Sequence, residues 1–68
     1  MARIESKQMR EAVMKLMMKL GRAATYKDLS DHFSLNSAAH ARYYVTKAEE
    51  DGVITVDRTR QPHWVSAS

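Results

Sequence analysis

The side chains in this sequence that can do chemistry are cations, hydroxyls and a few imidazoles. Their spacing does not suggest a reaction centre. His32, His40 and His63 are the only histidines, they fall on three different expected elements, and cysteine is absent. Asp28 and His32 share a helical face at i, i+4, a spacing read as a local ion pair rather than a ligand pair. The sequence holds no Gly-rich phosphate loop, His-Glu-x-x-His run or nucleophile motif. No enzymatic activity, cofactor or metal is therefore expected, and no small-molecule ligand is evident. What remains is chemistry suited to a polyanion. Arg42 carries a planar fork of donors that can grip a guanine edge, Tyr43 can touch a phosphate or a thymine methyl, and Ser37 can bond a phosphate. Arg58 and Arg60 stand two residues apart in a polar segment, where a guanidinium can enter a minor groove or clamp its phosphates. Lys27 can reach a phosphate backbone from the start of a helix, a position that itself favours anions.

These residues need elements to position them, and hydrophobic periodicity supplies the order. Met9, Val13, Leu16 and Leu20 recur at helical spacing, with Met17 beside them, and predict a first helix over Lys7–Leu20. Ser6 is its expected N-cap, and Gly21 sits where a left-handed residue ends a helix. Arg22-Ala23-Ala24 is read as a link or a brief strand. Thr25, three residues before Asp28, forms a near capping box for a short second helix. That helix carries Tyr26, Leu29 and Phe33 on one face and ends near Phe33. Ser34-Leu35-Asn36 is a turn. Asn36 or Ser37 caps a third helix running to about Asp51, with Ala41, Val45 and Ala48 inward and Tyr44 beside them, and Gly52 stops it. Val53-Ile54-Thr55-Val56 is β-branched and reads as a strand. Asp57–Pro62 reads as a hairpin loop, and His63-Trp64-Val65 as the returning strand.

The order helix, helix, turn, helix, hairpin is that of a winged helix-turn-helix, a mostly α member of the α+β class, occupying residues 1–68 as one domain. In that arrangement the third helix enters the major groove of double-stranded DNA. With Ala41, Val45 and Ala48 committed to the core, its outer side carries Ser37, Ala38, Ala39, His40, Arg42, Tyr43, Thr46 and Lys47. Ala38 and Ala39 are too small to read a base edge but permit close approach, so some dependence on DNA shape is expected. With about five cations on phosphates per subunit, the slope of log K against log salt is expected near −4 to −5.

Composition agrees with this reading. The chain has 68 residues and a net charge of +3. Residues 1–27 hold seven Lys/Arg against two acids, residues 28–57 two against six, and residues 58–68 two and none. Basic ends around an acidic middle suggest one face for a polyanion and another turned away from it. Glu49-Glu50-Asp51 at the end of the third helix reads as ordinary solvated charge, remote from DNA. A domain this small buries only about 60% of its unfolded surface, so oligomerisation is a natural way to gain stability. Met14 and Met18 lie opposite the core stripe of the first helix and are candidates for a dimer or partner contact. A single winged helix makes a small footprint, so dimers or cooperative neighbours on DNA are expected. No apolar run approaches the roughly 20 residues needed to cross a bilayer. Met1–Ser6 lacks the apolar segment of a secretory leader. A cytoplasmic, nucleoid-associated protein is expected.

From His40 onward the chain resembles a known family. His40-Ala41-Arg42-Tyr43-Tyr44, Glu49, Gly52-Val53-Ile54 and His63-Trp64 are similar in order and spacing to the small winged-helix regulators of fimbrial operons, of the pap and fae type. The likeness spans about the last two thirds of the chain. It implies a bacterial transcriptional regulator that binds DNA near promoters, with Arg42, Tyr43, Arg58 and Arg60 at the interface. A phage or plasmid regulator is equally compatible. The chain departs from the family at Thr46 and Lys47, where more apolar residues are expected, and its first helix is more basic. The rival reading is a winged helix used for protein contact, as an anti-repressor or accessory factor, which Met14, Met18 and the acidic end of the third helix favour.

Overall fold

The computed structural model describes residues 3–67. Helix α1 (Ser6–Leu20), helix α2 (Tyr26–His32) and helix α3 (Ala38–Glu50) precede strands β1 (Ile54–Asp57) and β2 (Trp64–Ala67). The strands form an antiparallel pair with Ile54 opposite Ala67 and Asp57 opposite Trp64. The expected α+β winged-helix layout is present. Ala24, read as a link or brief strand, bridges to Val65, exchanging backbone hydrogen bonds of 2.9 and 2.7 Å. It lies on the edge of β2 away from β1, so the link between the first two helices anchors the hairpin.

Local chemistry explains where the helices begin. Glu5, not Ser6, precedes α1, and Gln8 Oε1 accepts the Glu5 N–H at 2.8 Å. A cap at Ser6 would put Met9 at the reciprocal position, where it has no polar group to offer. The Ser6 hydroxyl instead donates to the Asp51 carboxylate and joins the start of α1 to the end of α3. Thr25 and Asp28 form the expected box at α2: the Asp28 N–H donates to Thr25 Oγ1 at 3.1 Å, and the Thr25 N–H to Asp28 Oδ2 at 3.0 Å. Ser37 is the residue that caps α3, accepting the His40 N–H at 3.2 Å.

The ends are equally local. Gly21 (φ +69°) closes α1 with a bond to Met17 O. Past α3, the N–H groups of Gly52 and Val53 reach back to Glu49 O and Ala48 O, with Gly52 at φ +77°. This is the Schellman closure. It takes Val53 into the helix cap, which is why β1 begins at Ile54 rather than at the expected Val53.

Met9, Ala12, Val13 and Leu16 of α1 meet Leu29 of α2, Ala41, Val45 and Ala48 of α3, Ala24, Ile54 and Val65 in the core. Leu20 departs from expectation. Although in phase with the α1 stripe, it is 38% exposed, because that end of α1 faces a groove lined by Asp28, Asp31 and His32 rather than apolar side chains. The turn between α2 and α3 is organised by Ser30, which is buried. Its hydroxyl donates to Leu35 O at 3.2 Å while its carbonyl accepts the Leu35 N–H at 2.8 Å, and Ser34 at φ +55° reverses the chain between them. That turn fixes the angle at which α3 is presented. Among the described residues no helix is long and apolar enough to cross a membrane.

Candidate nucleic-acid interface

Helix α3 packs through Ala41, Val45 and Ala48 and turns Ala38, Ala39, Arg42, Tyr43 and Lys47 outward, all exposed, with Ser37 exposed at its cap. His40 and Thr46 are half-buried. His40 is drawn toward Tyr44, with ring centroids 5.4 Å apart, which places it at the margin of the outer face. Tyr43, 57% exposed, stands edge-on to Tyr44 at 5.3 Å, and the Lys47 ammonium lies 5.6 Å from the Tyr43 ring centroid. The cation therefore sits on an aromatic face, an arrangement that limits its wandering without neutralising it.

Arg42 is positioned by a contact that crosses elements. Its guanidinium lies 5.8 Å from the centroid of the Tyr26 ring at the start of α2. The Tyr26 hydroxyl is hydrogen-bonded to His63 Nδ1 at 3.0 Å, at the base of the returning strand. One chain of contacts thus runs from the outer face of α3 through α2 to the wing. Neither Tyr26 nor His63 stands out in the sequence as a functional residue. The one available signal is an aromatic at the first position of α2, beside Lys27, which is itself exposed.

The wing differs from the expectation of two free arginines at its tip. Arg58 folds back onto the end of α3 and grips Glu49 bidentately, at 2.8 and 2.6 Å. The hydrogen bonds from Arg58 hold the Glu49 carboxyl below its ordinary range, outweighing the opposing effect of burial, and the Arg58 charge adds to them. Reciprocally, Glu49 raises the pKa of Arg58. Glu49 is therefore not free solvated charge, and Asp51 is taken up by Ser6. Arg60 remains exposed. The loop is shaped by Asp57, whose carboxylate accepts both the Thr59 N–H at 2.9 Å and the Thr59 hydroxyl. Those two bonds lower the Asp57 pKa against slight burial, and the charges of Arg60 and His63 lower it further.

Asp28 also has a different partner from the one expected. It pairs with Arg22 at 2.9 Å rather than with His32 one turn on, and the Arg22 guanidinium also lies 5.5 Å from the Trp64 ring centroid. His32 instead stands edge-on to Phe33. Burial pushes the Asp28 carboxyl up. The Arg22 hydrogen bond, the Thr25 backbone and hydroxyl bonds and the Arg22 charge together pull it further down, so it rests below its usual value. Among the described residues the ion pairs are Arg22–Asp28 and Arg58–Glu49, which leaves Lys27, Arg42, Lys47 and Arg60 unpaired. No cluster of three or more His, Cys, Asp or Glu with metal-ligand geometry occurs among the described residues. Comparison with models of known families, with curated proteins and with solved structures returns no match to the chain.

Proposed function

We propose that this chain is a double-stranded-DNA-binding transcriptional regulator that lays α3 in the major groove and sets the hairpin against the adjacent backbone or minor groove. The observation that carries the reading is the set of unpaired cations. Arg42 and Lys47 project from the outer face of α3, Arg60 from the wing and Lys27 from the first turn of α2. The chain's remaining acids lie elsewhere or are engaged. Arg42, steadied by Tyr26, is suited to reading a guanine edge, because a guanidinium restricted before binding loses less entropy on forming a bidentate pair. Ala38 and Ala39 let the helix approach the groove closely, and Ser37 and Tyr43 are placed to bond phosphates on either side. Arg58 acts through Glu49 as a brace that fixes the wing to α3. The resemblance to regulators of fimbrial operons points the same way. Copies bound side by side along DNA would supply the specificity that one small footprint lacks.

The test is retention of genomic DNA fragments by the full chain across a salt series, wild type beside Arg42→Ala and Arg60→Ala. Selective retention of a few fragments with a steep salt slope, weakened in both variants, is the expected result. No retention at low salt, or retention indifferent to both arginines, overturns the proposal.

A further inference from the structure

Helix α1 carries a second exposed face that no contact within the described residues covers. Met18 is 84% exposed and Met14 40%, while Met17 is half-buried beside them. With Ala67 at the end of β2 and Arg10 they line a shallow apolar hollow. No residue of α3 or of the wing loop contributes to it. Over residues 7–19 the helix holds Lys7, Arg10, Lys15 and Lys19 against Glu11 alone, four cations to one acid. Helical spacing puts Arg10 one turn before Met14, Lys7 two turns before it, and Lys15 three residues before Met18. The apolar patch is thus bordered by positive charge along the helix.

We infer that this face docks an acidic amphipathic helix of a partner protein, whose apolar residues at three- and four-residue spacing pack on Met14, Met17 and Met18 while its flanking Asp and Glu meet Lys7, Arg10 and Lys15. Methionine suits such a surface because its unbranched, polarisable side chain adapts to an irregular apolar partner. The charge border selects among occupants. A second copy of the same face would bring like cations together around the methionines, so self-association there is opposed. DNA would satisfy the cations, yet thioethers offer a phosphate nothing. A membrane needs a helix free to sink one whole side into lipid. The opposite side of α1, Met9, Ala12, Val13 and Leu16, is committed to the core. Because this face and the α3 face share no side chain, both can be occupied at once, and the inference stands whether or not α3 binds DNA.

The experiment uses the full chain with 13C-labelled methionine methyl groups. The probe is a synthetic peptide of about five helical turns with a leucine stripe flanked by glutamates. The expected result is a saturable shift of the Met14, Met17 and Met18 methyls with the buried Met9 methyl unmoved, which also reports that the core is intact. Met14→Gln/Met18→Gln should abolish the response. Lys7→Glu/Lys15→Glu should weaken the peptide about tenfold, the size of two exposed charge pairs lost. Three results each overturn the inference. One is the absence of a saturable shift at those three methyls. Another is an equal response to a peptide with lysines in place of the glutamates. The third is a shift that follows protein concentration, or vesicles of anionic phospholipid, more strongly than peptide.

Discussion

Arg58 and Arg60 are two residues apart in sequence, yet they should differ sharply in what they contribute to a DNA complex. Each phosphate neutralised on duplex DNA contributes about 0.9 to the slope of log K against log salt, so Lys27, Arg42, Lys47, Arg58 and Arg60 together would give about −4.5. Glu49 holds Arg58 at 2.6 and 2.8 Å, so Arg58 enters the complex already neutralised. Four cations remain, and the expected slope is about −3.6. Arg60→Ala should then reduce it to about −2.7 and weaken binding about eightfold at 0.1 M salt. Arg58→Ala should leave the slope near about −3.6, and Glu49→Gln, by releasing Arg58, should move it toward about −4.5 and tighten binding. Fluorescence anisotropy on one labelled duplex over a salt series measures all four proteins, with circular dichroism melts to establish that each is folded. Equal slope losses in Arg58→Ala and Arg60→Ala would show that the bridge opens on DNA and refute the reasoning. Weaker binding by Glu49→Gln would refute it differently, by showing that the brace matters more than the released charge.

Other perturbations test the fold that presents this face. Leu29 is fully buried where α2 meets the core, so Leu29→Ala should cost about 2–5 kcal/mol in urea unfolding, while Met18→Gln at an exposed site should stay within about 0.5 kcal/mol. A domain of this length holds roughly 3–10 kcal/mol in total, so Leu29→Ala should leave a substantial unfolded fraction, and a loss below about 1 kcal/mol would contradict the core assignment. The Asp28 pKa is depressed in the folded chain, so its contribution is fully present above the unfolded value of about 3.9 and disappears as pH falls through the lower folded value. Urea midpoints measured from neutral pH down into that range should fall, and Asp28→Asn should flatten the fall. A Cβ on Gly52 would meet nothing within 4 Å, so Gly52→Ala should cost only the left-handed backbone penalty of about 1–2 kcal/mol, read as a lower midpoint in thermal melts.

What the sequence makes legible here follows from how far an interaction reaches along the chain. Periodicity identifies Met9, Val13 and Leu16, and capping chemistry identifies Thr25, Ser37 and both glycines, because each of these is decided within four residues. The same logic fails at Leu20, whose phase is right but whose environment depends on where α2 lies. It also fails at Ser6, displaced by a better reciprocal partner one residue earlier. Asp28 shows the boundary most clearly. Its sequence neighbour at i+4 is His32, but the chain reverses between α1 and α2 and delivers Arg22 to 2.9 Å instead. The Tyr26–His63 hydrogen bond spans 37 positions, and the Arg58–Glu49 pair depends on the hairpin leaning back on α3.

These distant pairings change the functional reading more than they change the fold. Counting Lys and Arg by segment treats every cation as available to a polyanion. Folding removes Arg22 and Arg58 from that count by giving them carboxylates, and it rests Arg42 on an aromatic face without removing its charge. The Glu49-Glu50-Asp51 run, read in sequence as solvated charge remote from DNA, holds one of the wing's two arginines in place through Glu49. A basic segment therefore bounds the charge that can face DNA. Which cations face it is set by the carboxylates that the helix ends and the hairpin bring within reach, and here that leaves Arg60 as the wing's free cation among the described residues.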